Sequence, residues 1–281
     1  MTTIAPPLQR ESTGTRAPWG RWGVRGLALS YLALMLIAPL IVIFQDGLRE
    51  GFQGLWRALT QPVAWASLML TLWTAAIMAA LNGVMGLLTA YVVVRYNFPG
   101  KTILNAVIDL PLAIPTLVTG VMLVVLYGPQ SAVGSWLENE LGWRVIFAPP
   151  GIILALLFTT FPFVVRTIQP VLIELDQAQE EVAATLGAGG ATIFRRVVLP
   201  ALAMPLISGT LLSFARAIGE FGAIVIVAGN IPFRSQTAAV YVFGQVESEN
   251  RLAASALSIV MLSIAFGLVL LVNRLQRRRK K

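Results

Sequence analysis

Long apolar stretches separated by short charged segments form the main pattern of the chain. Five stretches contain no charged residue over 19 to 33 positions, and they cover 26–44, 62–94, 110–137, 145–165 and 252–273. From 197 to 233, only Arg216 and Glu220 interrupt the apolar sequence. A helix needs about 20 apolar residues to cross the hydrocarbon core of a bilayer. The pattern predicts six transmembrane helices, at about 24–45, 66–94, 103–127, 149–169, 201–228 and 252–274.

The composition excludes several classes of protein. Hydrophobic residues make up 57% of the 281, and charged residues 12%, against about 25% in an ordinary soluble domain. Because cysteine and histidine are absent from the sequence, it cannot build a disulfide scaffold, a Cys or His metal site, or a Cys or Ser–His nucleophile. A water-soluble fold could not bury so many apolar positions. We therefore predict an all-α polytopic membrane protein.

The distribution of Lys and Arg predicts the orientation of the helices. If the N-terminus is cytoplasmic, 15 of the 21 basic residues fall in cytoplasmic segments and five in external segments, while Arg216 lies within a helix. Cytoplasmic loops carry such an excess, so both termini are predicted to be cytoplasmic. The net charge of +8 then indicates topology and not nucleic-acid binding, which would need a basic face on a folded domain. The basic C-terminal end also suits contact with anionic membrane lipid.

The segments around the helices divide the chain into four regions. Residues 1–22 are expected to form a flexible cytoplasmic tail, 23–60 the first transmembrane helix with a periplasmic loop, 61–275 the helical core, and 276–281 a basic cytoplasmic tail. Pro6, Pro7 and Arg10 oppose a cleavable signal peptide, which needs an apolar segment near its start. We therefore expect the first helix to remain in the mature protein.

The longest predicted cytoplasmic connection spans residues 174–200 (the 174–200 loop), and its pattern predicts two short helices. Asp176 is placed to cap the first helix, and Gly187 to end it in a left-handed conformation. Pro200 is expected to end the loop. The predicted apolar face of the first helix lies beside two glutamates and consists of Ala178, Val182, Ala183 and Leu186. Such a face suits docking into a groove of a partner protein and suits lying on the membrane surface equally well.

The spacing within this loop resembles the EAA motif of permease subunits in ATP-binding-cassette (ABC) importers. That motif reads E-A-A, three residues, Gly, nine residues, I-x-L-P. This chain has Glu181-Val182-Ala183, Gly187 and Val197-x-Leu199-Pro200 at the same spacing, departing by the two valines. The resemblance implies a MetI-like type I permease fold in 61–275 and a loop that inserts into a cleft of a cytoplasmic ATPase. The residues that it assigns to this coupling are Glu180, Glu181, Ala183, Ala184, Gly187, Leu199 and Pro200.

Further motifs narrow the resemblance to sulfate and molybdate permeases. They are Asp109-Leu-Pro111-Leu-Ala-Ile-Pro115, Phe161-Pro-Phe-Val-Val-Arg166, Arg216-Ala-Ile-Gly219-Glu220-Phe221-Gly222-Ala223 and Gly229-Asn230-Ile231-Pro232. The last of these, together with the chain length and the additional N-terminal helix, is similar to the T-type subunit of sulfate/thiosulfate importers. The resemblance covers about residues 20–275.

This resemblance implies a complex in the bacterial inner membrane. Its expected members are this chain, a second homologous permease of the W type, two copies of a cytoplasmic ATPase and a periplasmic sulfate- or thiosulfate-binding protein. The chain has no G-x-x-x-x-G-K-[ST] loop, so we expect a subunit that is no enzyme and holds no cofactor, with ATP and Mg²⁺ bound by the ATPase. The alternatives are a molybdate or tungstate permease of the same family and, from a different class, a stand-alone secondary transporter or channel.

Asp109, Arg216 and Glu220 are charged residues that lie more than three positions inside the ends of the predicted transmembrane helices, where such groups are costly and commonly functional. Arg216 and Glu220 are four residues apart and share one helical face. They predict either a structural ion pair or a pair beside the translocation pathway. In the second case, Arg216 could also contact the transported anion directly. Further residues expected at the pathway or gate are Gly219, Phe221, Gly222 and Pro115. Asp109 is predicted to pair with a basic residue, as an anchor or as part of a gate, and Pro111 and Pro115 to kink the third helix.

Overall fold

The computed structural model describes residues 18–279, with side chains from 23 to 276, and every regular element in these residues is a helix. The chain divides after Gln45 into two compact units. The helix of the first unit begins as α1 (Pro18–Leu32), passes through a π-helical turn (Ala33–Ile37) and continues into α2 (Ala38–Gly47). From residue 23 onward, most of its apolar side chains are exposed around the helix, which is typical of contact with lipid. The predicted tails, 1–22 and 276–281, lie almost entirely outside the residues whose side chains are described.

The second unit is built from the remaining helices. Their bounds are α3 Gly51–Leu59, α4 Pro62–Arg95, α5 Lys101–Ala113, α6 Thr116–Tyr127, α7 Ala132–Leu141, α8 Pro149–Glu174, α9 Ala178–Thr185, α10 Gly190–Ile193, α11 Leu199–Ile218, α12 Gly222–Ala228, α13 Ala238–Glu247 and α14 Arg251–Arg279. A second π-helical turn, Phe194–Val198, joins α10 to α11.

Helices α4, α8 and α11 pack together at the centre of this unit. Two clusters of buried apolar side chains fill the space between them. The first cluster includes Met78, Ile152, Leu156, Ala217 and Ile218, and the second includes Val93, Val164, Ile168, Leu172 and Leu202. A Cβ atom added at Gly86 would lie 2.7 Å from Val164 Cγ1, so α4 and α8 approach as closely as a small residue permits.

Among residues 18–279, the number of candidate membrane spans is five, or six if one bent pair is counted. By length and composition, Gly23–Gly47, Pro62–Arg95, Pro149–Glu174, Gly190–Ile218 and Arg251–Gln276 are each long and apolar enough to cross a membrane. Helices α5 and α6 meet the same criteria together, but they are bent by 109°. The predicted all-helical polytopic membrane fold is confirmed, with the third predicted span present as this bent pair.

Three predicted spans differ from the structure in detail. The third is broken within 103–127, since Ile114 precedes Pro115 and takes an extended conformation with ψ of 129°, as residues before proline tend to. The second begins at Pro62 and not at 66, because proline fits the first position of a helix. The fifth, predicted at 201–228, is interrupted between α11 and α12 at Gly219–Phe221.

Candidate functional site

The first half of the 174–200 loop forms a short helix with defined ends. The Asp176 carboxylate, one residue before the N-cap Gln177, accepts a hydrogen bond from Ala178 N at 2.9 Å, so it satisfies a backbone amide at the start of α9 as predicted. Gly187 has a φ of +84°, the left-handed conformation that the sequence predicts. The amides of Gly187 and Ala188 donate to Ala184 O and Ala183 O at 2.9 and 3.0 Å, which is the Schellman pattern of a helix end. The backbone therefore holds α9 in a fixed length and direction.

One face of α9 is exposed. The side chains of Val182 and Leu186 are 58% and 82% exposed, and Glu181 and Ala184 are exposed with them. Ala178 is exposed and Ala183 is half-buried, so all four residues of the predicted apolar face are at least partly accessible. Aliphatic side chains beside a carboxylate, on a helix outside the candidate spans, form a surface suited to a groove on a partner protein.

The second half of the loop continues directly into a membrane helix. From Gly190 to Ile218 the chain is one helix, with the π-helical turn at Phe194–Val198. Leu199 N donates to Phe194 O, a spacing of five residues that accommodates Pro200, which lacks an N–H. The prediction that Pro200 ends the loop is therefore wrong. Leu199 is half-buried and Pro200 is exposed at the start of α11.

A charged pair that sequence reasoning missed joins α9 to the bundle. Arg95 Nη2 lies 2.5 Å from Glu180 Oε1, and the two side chains are 8% and 17% exposed. The same nitrogen donates to Leu175 O at 3.3 Å. Glu180 is thus directed into the protein, whereas Glu181 is exposed. The signal in the sequence was the positive charge of Arg95 at the end of an apolar stretch. By itself, that charge predicts only the orientation of the helix and not a partner.

Arg216 and Glu220 form the predicted ion pair at the interruption between α11 and α12. Arg216 Nη1 lies 2.8 Å from Glu220 Oε2. Glu220 is buried, and its Oε1 accepts a hydrogen bond from Ala223 N at 3.2 Å, in the first turn of α12. The Arg216 side chain is 38% exposed, Gly219 beside it is exposed, and Phe221 packs on Phe243 with ring centroids 5.0 Å apart. One carboxylate therefore joins the two helix segments, and one cation stays accessible.

The two helix breaks meet at a contact between small residues. A Cβ atom at Gly222 would lie 2.2 Å from Thr116 Oγ1, directly after Pro115. A Cβ atom at Gly120 would lie 2.8 Å from Ala223 O. Helices α6 and α12 therefore pack with their backbones nearly touching, so the interruption at Gly219–Phe221 is held against the bend at Pro115.

Replacing Gly120 with alanine is expected to destabilise this contact. The added carbon meets a backbone oxygen of α12, which can move only with the helix, and overpacking of this kind costs about 1–3 kcal/mol. The melting temperature of the purified protein in detergent measures the effect. Gly267→Ala is the matched control, because open space surrounds Gly267 in the middle of α14. A Gly120→Ala protein that melts with the control would contradict the close contact.

Asp109 makes its predicted pairing with Arg166. Asp109 Oδ1 and Oδ2 accept from Arg166 Nε and Nη2 at 2.7 and 2.5 Å, in a bidentate arrangement. Arg166 Nη2 also donates to Asn105 O at 3.1 Å, and Arg166 Nη1 to the Gln169 side chain. These contacts connect α5 to α8, and they form a network separate from the Arg216–Glu220 pair. The geometry is that of an anchor between two helices.

A polar network inside the helix core was not predicted. Asn82 Nδ2 donates to Thr160 Oγ1 at 2.9 Å and lies 3.2 Å from Met78 Sδ. Ser213 Oγ lies 3.6 Å from the same sulfur and 3.5 Å from Thr160 O. All four side chains are buried, and they connect α4, α8 and α11 at one level. The signal available in the sequence was a single Asn within an apolar stretch.

The helices of the described residues, with their five or six candidate spans, are those of a multi-pass membrane protein. Residues 82–281 match the family described as "Binding-protein-dependent transport system inner membrane component". This match covers more than half of the chain. The chain therefore belongs to that family of transport components.

Curated relatives match most of the chain. It is 44% identical over 250 residues to the "Probable sulfate transport system permease protein cysT" of Chlorokybus atmophyticus, covering 89% of this chain and 87% of the relative. It is 39% identical over 253 residues to the "Sulfate transport system permease protein CysT" of Escherichia coli (strain K12), covering 90% and 91%. The resemblance to sulfate permeases is thereby confirmed.

Solved structures of low sequence identity share the fold. A chain of a bacterial alginate ABC transporter, crystallised with its periplasmic protein, is 16% identical and superimposes with a TM-score of 0.77, covering 94% of this chain and 96% of that chain. A chain of the MetNI methionine ABC transporter, 18% identical, covers 77% of this chain and 99% of its own length with a TM-score of 0.50. The predicted ABC permease fold is confirmed.

Proposed function

We propose that this chain is a membrane-spanning permease subunit of an ATP-driven importer that moves sulfate or thiosulfate from the periplasm to the cytoplasm. The observation that carries the proposal is the exposed Val182 and Leu186 face of α9, which stands outside the candidate spans. It occurs in a chain whose relatives are named sulfate transport permeases. An ATPase that moves can act on the membrane helices through such a face, since only three or four residues connect α9 to α8 on one side and to the helix Gly190–Ile218 on the other.

The exposed face of α9 indicates where each proposed partner of the transport complex would bind. Two copies of a cytoplasmic ATPase hold ATP and Mg²⁺ and receive the α9 face of this chain and that of a second, W-type permease. A periplasmic sulfate- or thiosulfate-binding protein delivers the anion on the opposite side of the bacterial inner membrane. The excess of basic residues on the loop side supports cytoplasmic termini and a cytoplasmic 174–200 loop.

The Arg216–Glu220 pair is proposed to border the translocation pathway. A cation that faces lipid near the middle of a membrane costs about 2.5–3.5 kcal/mol or more, yet the Arg216 side chain is 38% exposed. This exposed part therefore faces a water-filled path or the second permease. Because Glu220 neutralises Arg216, the site favours passage of a divalent anion over tight binding. Asp109, whose side chain is 48% exposed beside Arg166, is proposed to anchor α5 to α8, and this anchor can also border the pathway.

ATP-dependent uptake of radiolabelled sulfate by the reconstituted complex tests this function. Proteoliposomes contain this chain, the second permease and the ATPase, and the cognate binding protein is added outside. We expect sulfate to accumulate only with ATP and with the binding protein, and thiosulfate to compete with it. Complexes without the ATPase serve as the control.

Two results would point to the alternatives. Uptake inhibited by molybdate at lower concentration than by thiosulfate would assign the chain to molybdate or tungstate transport. Uptake driven by an ion gradient in liposomes that contain this chain without ATPase would assign it to secondary transport and would refute the coupling role of α9.

A further inference from the structure

The Arg95–Glu180 pair attaches α9 to the membrane helices by an ion pair. Arg95 is the last residue of α4, and its Nη2 contacts both Glu180 Oε1 in α9 and Leu175 O directly after α8. One guanidinium group therefore holds the ends of three helices together. Since α9 has only eight residues and none of them is buried, packing alone would not fix its position.

The surroundings of the pair strengthen it. Tyr91 packs edge-on against Phe194 with ring centroids 5.4 Å apart, and against Tyr96 at 6.2 Å. These rings stand beside the second apolar cluster, in which Tyr91 and Phe194 contact the buried core. An ion pair that is mostly shielded from water keeps a fixed geometry and a strong attraction, unlike the exposed ion pairs of a protein surface.

We propose that the Arg95–Glu180 pair transmits the movement of α9 to α4. The proposal rests on the proposed coupling function of the 174–200 loop. Without the pair, α9 pulls on the membrane helices only through its chain connections to α8 and to the helix Gly190–Ile218. With the pair, the same movement also displaces the end of α4. Arg95 and Glu180 are then positioning residues for the transport cycle and have no contact with the transported anion.

Helix α4 has a direct route from Arg95 to the proposed pathway. Asn82 lies about 20 Å along α4 from Arg95. There Asn82 and Met78 contact Thr160 of α8 and Ser213 of α11. Ser213 precedes Arg216 by three residues, or one turn of the helix. Movement at one end of α4 therefore reaches the helix that carries the Arg216–Glu220 pair through buried contacts.

The ratio of sulfate molecules transported to ATP molecules hydrolysed tests the proposal. Arg95→Gln and Glu180→Gln are introduced singly and together into the full complex in proteoliposomes. We expect each single variant to keep its ATPase subunits on purification and to hydrolyse ATP at a rate within about twofold of the unmodified complex. Sulfate transported per ATP should fall about tenfold, the range of a typical coupling energy. The double variant should fall no further than either single variant, because both break the same contact.

Two further variants separate coupling from a general loss of structure. Arg95→Lys keeps a cation that can reach Glu180, so it should recover part of the transport ratio. Lys101→Gln removes a cation on the same side of the bundle, where Lys101 contacts Asn97 at the surface, and should leave the ratio unchanged. The proposal would be overturned by an unchanged ratio in Arg95→Gln or by additive losses in the double variant. It would also be overturned if the single variants lost the ATPase on purification. If the unmodified complex itself fails to retain an ATPase, the proposed function fails instead.

Discussion

Arg216→Leu is expected to destabilise the folded protein by about 3–5 kcal/mol, because it leaves the carboxylate of Glu220 buried without its cation. Glu220 is 2% exposed, so water cannot take the place of the guanidinium. Glu220→Leu should cost less, since the Arg216 side chain is 38% exposed and can still be hydrated. The order of the two effects follows from the unequal burial of the partners. Denaturation of the purified protein in detergent, followed by tryptophan fluorescence, measures both.

The double variant Arg216→Leu/Glu220→Leu separates stability from transport. It removes both charges at once, and replacement of a buried ion pair by apolar residues is often neutral for stability. We expect it to fold nearly as well as the unmodified chain but to transport sulfate poorly, because the exposed cation at the proposed pathway is gone. Glu247→Ala, at an exposed glutamate, is the control for loss of a carboxylate. Normal sulfate uptake by the folded double variant would refute the assignment of Arg216 to the translocation pathway.

Local features of the sequence were sufficient to predict the ends of α9 and the Arg216–Glu220 pair. Asp176 and Gly187 act on the backbone within three residues of themselves. Arg216 and Glu220 are only four residues apart and pair although Glu220 lies in the interruption after α11. These interactions depend on the chain over one or two turns. They can therefore be predicted from neighbouring residues in the sequence, without knowledge of how the helices pack.

Packing decides the features that sequence reasoning missed. Pro111 and Pro115 carry the same local signal, yet Pro111 lies inside α5 while the chain bends sharply at Pro115. The bend at Pro115 is the one that packs on α12, where Gly120 and Gly222 permit close approach. Likewise, Glu180 finds Arg95 across 85 residues, and Asn82 finds Thr160 across 78. A single sequence does not indicate which distant polar residue will be the partner.

Gly187→Val is expected to abolish coupled transport almost completely. Gly187 has a φ of +84°, a conformation in which a β-branched side chain clashes with its own backbone. Valine would shift the residue to negative φ, so the hydrogen bonds that end α9 would be lost and the neighbouring Leu186 would be displaced from the docking face. We expect both sulfate uptake and stimulation of the ATPase by the binding protein to fall at least about tenfold.

Two substitutions in the same loop make this prediction specific to backbone conformation. Gly187→Asn adds a larger side chain but tolerates the left-handed region, so it should retain much of the activity that valine removes. Gly189→Thr adds a side chain of the same shape as valine at φ of −71°, in open space and at a position where threonine caps a helix, so it should be active. If Gly187→Val supports normal uptake, or if Gly189→Thr fails as badly, the left-handed turn is not what positions α9 for the ATPase. Gly187→Val and Gly189→Thr add side chains of similar size at different backbone conformations, whereas Gly187→Val and Gly187→Asn differ in how well they tolerate positive φ. The order of the three activities therefore shows whether side-chain size or backbone conformation causes the loss.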